Sequence, residues 1–376
     1  MKKLFLFGTV IFYCLIGSNI PVFGQGTVDL YLDEINVYVN TYGKISIYTL
    51  PDTIRQIYQV TPLVGTGPTT VFDYYNDTEV EEPTQLLAVP TFGDYEIYGS
   101  YNNEYSFNPP DILEKLNVYC WQDMNSILVK FTLINRESSS IDAIVGLELV
   151  PEVEGSTAGR DTVIYSPISG IISVKKTESV GFKPLSDNLK SMAAFVWYSD
   201  YEVDTSYYNW LTYDSFDSPF ITDPNDPNVD DPVLIPAYNS VTIASGDSVI
   251  QYLAVAYGVN EAEMLASLQQ AQEKYYELTS IKADHNTIPN SYVLEQNYPN
   301  PFNPSTTIKF GVPEASNVRL KIFSSLGEEV AELVNEYMNA GTYTYNFDAS
   351  KLPSGIYVYT LQTGEQLISK KMTLIK

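Results

Sequence analysis

The sequence predicts an all-β protein: a large β-sandwich closed by one helix at its C-terminal end, followed by a smaller β-sandwich. Three observations lead there. Apolar and polar residues alternate with a period of two in short runs through both the larger region and the C-terminal part, the pattern of strands with one buried face. Gly, Pro, Asn and Asp interrupt these runs about every ten residues, as turns between short antiparallel strands do. Tyrosine is abundant, with 31 copies, and its ring suits a half-buried pleated surface.

The N-terminus reads as an address. Lys2 and Lys3, the apolar run Leu4 to Ile16 and the close Val22-Phe23-Gly24 before Gln25 are the three parts of a secretory signal peptide. Residues 1–24 are therefore expected to be removed. The apolar run is shorter than the ~20 residues of a membrane span, so no transmembrane span is expected. Phe12 and Tyr13 precede Cys14 where a lipoprotein site needs small residues. The mature chain then keeps Cys120 alone, which leaves no partner for an internal disulfide.

Residues 25–283 read as the larger sandwich, an acidic, tyrosine-rich cargo region. Strands are expected at Ile35 to Asn40, Lys44 to Leu50, Ser126 to Asn135, Ile141 to Val150, Gly170 to Lys176, Ala193 to Tyr198 and Ser248 to Gly258. In Ser126 to Asn135, Ile127, Val129, Phe131 and Leu133 alternate with polar neighbours. A helix follows. Asn260 is its cap and Glu263 the capping-box partner. Met264, Leu265, Leu268, Ala271, Tyr275 and Leu278 recur at helical spacing. The strand pattern of Asp123 to Gly155 with Ser240 to Gly258 resembles the super-sandwich domains of sugar enzymes, such as mutarotase-like accessory modules, without a shared motif. Residues 284–296 read as a polar linker. Residues 297–376 alternate again, at Val318, Leu320 and Ile322, then at Tyr343, Tyr345 and Phe347, then at Ile368, Met372 and Leu374.

Charge is concentrated in the cargo region. The whole chain has 21 basic and 46 acidic residues, a net of −25. Residues 286–376 hold 7 basic and 8 acidic residues; once Lys2 and Lys3 are removed, residues 25–285 hold 12 and 38. Such a surface repels nucleic acid and anionic membranes. It suits solubility, divalent cations, or neutral partners such as glycans.

Most standard catalytic machinery is missing. The one histidine is His285, which excludes a His-based triad, a histidine zinc site and a Cys–His pair for Cys120. Gly65-Thr66-Gly67 has no lysine after it and reads as a turn. A glycosidase needs only two carboxyls; Glu148, Glu152 and Glu154 lie close in sequence, and Asp214 and Asp217 flank Phe216. Among 38 acidic residues such proximity arises by chance, and no catalytic residue is assigned. Two stretches point to binding instead. In the loop Thr222 to Asp231, Asp223, Asn225, Asp226, Asn228, Asp230 and Asp231 offer the oxygen ligands that Ca2+ takes, against the plainer reading of a solvated acidic loop. Before it, Trp197, Tyr201, Tyr208, Trp210 and Tyr213 read as a surface for a glycan or protein ligand, against the plainer reading of core.

Near the end stands Tyr298-Pro299-Asn300-Pro301-Phe302-Asn303-Pro304-Ser305-Thr306-Thr307-Ile308. Each X-Pro pair biases the backbone toward extended structure, and the asparagines favour turns, so the segment is a preshaped entry with Phe302 free to plug the small sandwich. Ile322-Phe323-Ser324-Ser325-Leu326-Gly327 follows, then Gly341, then Leu352-Pro353-Ser354-Gly355-Ile356-Tyr357, then Lys370-Lys371-Met372. In this order, and at the end of the chain, these pieces resemble the type A C-terminal sorting domain of the type IX secretion system. The resemblance covers the last quarter of the chain. It implies an Ig-like sandwich, a Bacteroidetes-like source, passage through the periplasm and recognition by an outer-membrane translocon. It also implies a sortase-like protease that removes the domain and attaches the cargo at the surface. Gly355 is expected in a turn with unusual backbone angles. Lys370 and Lys371 are expected either as recognition points or as guards of a sheet edge. The chain thus reads as an exported surface or secreted protein whose cargo is a non-enzymatic adhesion or glycan-binding module. The alternatives are a carbohydrate-active enzyme with paired carboxylates and a structural envelope component.

Overall fold

The computed structural model describes residues 26–155, 159–199, 201–225, 230–279, 281–284, 289–338, 340–364 and 366–376. Two nine-stranded antiparallel sheets form the larger part. The first runs Val28–Tyr31, Ile35–Val39, Ile45–Thr49, Ile54–Gly67, Ile141–Pro151, Pro232–Ala237, Ser191–Val196, with Thr70–Phe72 and Val241–Ile243 attached. The second runs Phe220–Ile221, Thr162–Ser166, Ile171–Lys175, Ser179–Pro184, Ser248–Gly258, Ser126–Asn135, Ile112–Cys120, Tyr95–Asn102, Glu79–Leu86.

The main core lies where the inward faces of the two sheets meet. Ile47, Val60, Leu147 and Leu149 of the first sheet share one buried cluster with Val118, Val129, Phe131, Phe182 and Leu253 of the second. The alternation in Ser126–Asn135 holds: Ile127, Val129, Phe131 and Leu133 are fully buried. Leu128 is buried too, in a second cluster that includes Ala254 and Met264. Strands covered on both faces lose the polar half of their alternation.

The expected helix spans Glu261–Leu278 (α2). The Asn260 side chain accepts a hydrogen bond from the Glu263 amide at 3.1 Å and satisfies one of the orphan donors of the first turn. Met264, Leu268, Ala271 and Tyr275 are buried; Leu265 is 37% exposed and points to solvent. Gly181 lets the helix dock closely, since a Cβ there would stand 2.2 Å from the Met264 sulfur.

A further helix, Asp204–Leu211 (α1), was not expected, because its residues read as an exposed aromatic stretch. Tyr207 and Leu211 bury against the outer face of the first sheet. Two glycines make the socket: a Cβ on Gly146 or Gly65 would lie 2.3 or 2.8 Å from the Leu211 methyls. With Val203 at the cap and no side-chain cap bond, and with Thr, Ser, Tyr, Asn and Trp inside, local propensity is low. Tertiary packing forms this helix.

The smaller part has two four-stranded sheets. One runs Ile281–Asp284, Gly341–Asp348, Ser305–Val312, Val293–Leu294; the other runs Glu329–Met338, Ser316–Ser324, Gly355–Thr363, Gln366–Leu374. Ile281–Asp284, expected to straddle the boundary between the cargo region and the linker, and Val293–Leu294, expected within the linker, thus hydrogen-bond into the small sandwich. α2 bridges the two parts, and Tyr276 meets Tyr343 edge-on at 5.8 Å.

Candidate functional site

On Ile141–Pro151, Val145, Leu147 and Leu149 face the core, so Glu148 points to the other side of the sheet. It is fully buried there. The Tyr201 and Tyr207 hydroxyls donate to its Oε1 at 2.5 and 3.2 Å, and Gln59 Nε2 donates to Oε2 at 2.6 Å. Tyr75 in turn donates to Gln59 Oε1 at 3.1 Å. Burial pushes the Glu148 carboxyl up to about 8 in spite of the tyrosine donors. Burial also raises the Tyr201 and Tyr207 hydroxyls, with the Glu148 charge adding to it. Gln59, Glu148, Tyr201 and Tyr207 are all fully buried and joined by these hydrogen bonds, which marks the network as a structural tie.

The open surface lies beside it. Three turns meet at one rim. In the first, Asn40 Oδ1 accepts the Tyr42 and Lys44 amides at 3.0 and 2.9 Å, while its Nδ2 donates to the Tyr74 hydroxyl at 2.5 Å. In the second, Asp73 Oδ1 accepts the Tyr75 and Asn76 amides at 2.7 and 2.9 Å. In the third, Ser106 donates to Asp77 Oδ1 at 2.5 Å and the Tyr105 amide donates to the Asp77 carbonyl at 3.2 Å. The rim exposes Tyr42, Tyr75, Tyr105 and Phe107, the last two by 53% and 78%. Phe107 holds φ 59, a conformation that costs a non-glycine residue free energy. Lys44 stands behind, its ammonium 3.6 Å from the Tyr58 ring centre. Burial, with Asp77 nearby, pushes Asp73 up to about 7, and burial pushes Asp77 up to about 6. Sequence reasoning missed this rim because its aromatics come from three separate turns; the available signal was aromatic residues beside Asn, Asp and Gly.

The aromatics singled out from the sequence do not form an open platform. Tyr201 is fully buried. Trp197, Tyr208, Trp210 and Tyr213 are half-buried in the cluster that covers the outer face of the first sheet. Trp210 stacks on Phe195 at 4.2 Å, and Tyr213 donates to Asp217 at 2.8 Å. The apolar outer face of that sheet needs a cover, and these rings supply it.

Of the acidic loop, Asp226 and Asn228 lie outside the described residues, as do His285 and the signal segment. Asp223 and Asn225 are exposed and bond to each other. Asp230 Oδ1 accepts the Asp231 amide at 2.8 Å. Asp231 is buried, within the electrostatic field of Glu152, Asp161 and Lys176. Among the described residues no three His, Cys, Asp or Glu are grouped to hold a metal ion. The sequence-adjacent carboxyls also separate: Glu152 pairs with Arg55, Glu154 accepts the Thr177 and Glu178 amides, Asp214 is exposed, and Asp217 accepts the Ala194 amide.

The C-terminal motif is a working part of its sandwich. Phe302 is 2% exposed and meets Phe347. Its amide donates to the Thr373 carbonyl at 2.9 Å, and Asn300 Oδ1 accepts the Thr373 amide at 2.9 Å. Tyr298 bridges Thr307 with its ring 81% exposed. The Pro299 carbonyl accepts from Thr306, and the Pro304 carbonyl accepts the Ala349 amide; Pro301 and Asn303 are exposed. Gly327 turns at φ 83. Gly355 differs from expectation: it opens a strand opposite Leu374 and has no left-handed φ. Tyr357 donates to the Pro353 carbonyl at 2.7 Å. Lys370 and Lys371 lie on Gln366–Leu374, the edge strand of its sheet.

Residues 296–376 match the family of secretion system C-terminal sorting domains. The C-terminal domain is a type IX sorting domain. The sorting domain marks the chain for export to the cell surface or for secretion, and it engages the secretion machinery. Among the described residues no helix is long and apolar enough to cross a membrane. No curated protein matches the chain. Among solved structures it is similar to a polysaccharide lyase, at 9% identity and TM-score 0.38, covering 92% of this chain and 47% of that one. It is similar to a bacterial glucoamylase complexed with acarbose, at 10% and 0.47, covering 69% and 36%. A third is a putative aldose 1-epimerase from Escherichia coli K12, at 8% and 0.38, covering 62% and 99%. The chain spans less than half the length of the lyase and the glucoamylase, and likenesses this distant carry no argument about activity.

Proposed function

We propose that the exported cargo is a non-enzymatic recognition module that binds neutral glycan chains at the rim of Tyr42, Tyr75, Tyr105 and Phe107. One observation carries the reading: Phe107 is held outward, 78% exposed, in a strained backbone conformation. A protein that only needed solubility gains nothing from that arrangement. Aromatic faces stack on sugar rings, and the turn amides and carboxyls around them bond hydroxyls. The acidic surface disfavours anionic ligands and leaves neutral ones. The sorting domain supports delivery to a surface where such ligands occur, with a translocon and a sortase-like protease as partners on the way.

The test is a glycan-array screen of the full chain. Selective binding to neutral glycans is expected, lost in Tyr105→Ala and Phe107→Ala. Release of reducing ends from a bound glycan would replace this reading with that of a carboxylate hydrolase. Absence of binding across the panel would leave a structural envelope role.

A further inference from the structure

Asp161 and Lys176 face each other at the end of a hairpin. Thr162 pairs with Lys175 in the ladder, which places the next two residues side by side. Their side chains are 1% and 9% exposed, and Lys176 Nζ stands 3.6 Å from Asp161 Oδ1. That is too long for a hydrogen bond, and neither carboxyl oxygen of Asp161 has a hydrogen-bond partner. Leaving a buried carboxylate unbonded is costly. The backbone gives Asp161 no room to relax. Its amide donates to Thr222 Oγ1 at 2.8 Å and its carbonyl accepts the Thr222 amide at 3.1 Å. Lys176 is aimed as well, since Nζ donates to the Val153 carbonyl at 2.9 Å.

We propose that Lys176 and Asp161 join in an intramolecular isopeptide bond. The Lys176 amine attacks the Asp161 carboxyl carbon. The Nζ–Cγ bond forms, one Cγ–Oδ bond breaks, and the departing oxygen leaves as water with two protons from the reacting pair. No oxidant or other reactant is needed. Holding the two groups in contact supplies the entropy that a bimolecular reaction would have to find. The product has one amide N–H, directed at the Val153 carbonyl that Nζ already touches. It replaces two buried charges with a neutral group.

In this proposal the neighbouring Asp231 carries the proton. Its Oδ1 is likewise buried without a hydrogen-bond partner. It lies in the field of both reacting groups, and burial, with Glu152 and Asp161 adding, pushes it up to about 8. A carboxyl protonated near neutrality can protonate the leaving oxygen and take up the amine proton. Burial likewise pushes Asp161 up to about 6, against the opposing effect of Lys176, which favours its reactive acid form.

Intact mass spectrometry of the denatured full chain is the test. The wild-type protein is expected to be lighter than its sequence by one water, with a tryptic fragment joining Lys176 to the peptide that begins at Asp161. Lys176→Arg is expected at full mass. Asp161→Asn is expected to lose ammonia instead of water, a change that a mere ion pair cannot produce. Asp231→Asn is expected to leave most chains unjoined. A wild-type chain at full mass after incubation at neutral pH would overturn the proposal and leave an ordinary buried ion pair; because that reading needs no variant, a folding defect cannot obscure it.

Discussion

Glu148 is a fully buried carboxyl on the outer side of the first sheet. Its neighbours Glu152 and Glu154 suggested a carboxyl pair; the strand sends it instead under α1, where three side chains donate to it. Nothing local in the sequence announces that, because the donors come from residues 59, 201 and 207. The consequence can be measured. Glu148→Ala leaves Gln59, Tyr201 and Tyr207 without their acceptor and is expected to cost about 1–3 kcal/mol in denaturant unfolding, the scale for buried polar groups left unpaired. Glu148→Gln tests the proton. The folded carboxyl is pushed up to about 8, well above the unfolded range near 4. The folded state therefore holds this proton more tightly, and stability from it is lost as pH rises from about 4 toward 8. The Gln variant is expected to flatten that slope in a pH series of melts.

Helices and strands differ in how far their causes lie from their own residues. α2 was legible because its cap and its apolar stripe are written within it. α1 was not, because its cause is the pair Gly65 and Gly146 on distant strands. Gly146→Val is expected to drive Leu211 out of its socket at a cost of about 1–3 kcal/mol, the range for overpacking, with a change in Trp210 fluorescence as the helix lifts. The entry segment of the sorting domain was legible down to its plug. Phe302→Ala is expected to cost about 3–5 kcal/mol, as for buried aromatics, and to lower the amount of chain exported. Gly355 was misread because glycine in a motif suggests a turn, whereas here it begins a strand.

Across the whole molecule, the acidic balance was visible in composition, but which carboxyls are buried was not. Burial pushes Glu114, Glu148, Asp231 and Glu336 each up to about 8. Each binds its proton more tightly folded than unfolded, so each destabilises the fold as pH climbs between the two values. Self-repulsion of a chain at net −25 acts in the same direction. The melting temperature is expected to be higher at pH 5.5 than at pH 8; an equal or reversed order would show that these carboxyls are not buried as described. Export was the most legible property, since the sorting motifs follow one another in order within the last quarter of the chain. Deleting residues 296–376 is expected to abolish surface delivery, checked by fractionation of the producing cells.

α2 also gives the molecule an order in time. A chain that emerges N-terminus first completes its two large sheets and then the helix, yet Tyr276 still lacks Tyr343 and the rest of the cluster it shares with the small sandwich. A later stretch covers what an earlier one left bare. A chain that stops early carries an uncovered aromatic stripe as well as no address. Delivery and a closed core therefore depend on the same residues.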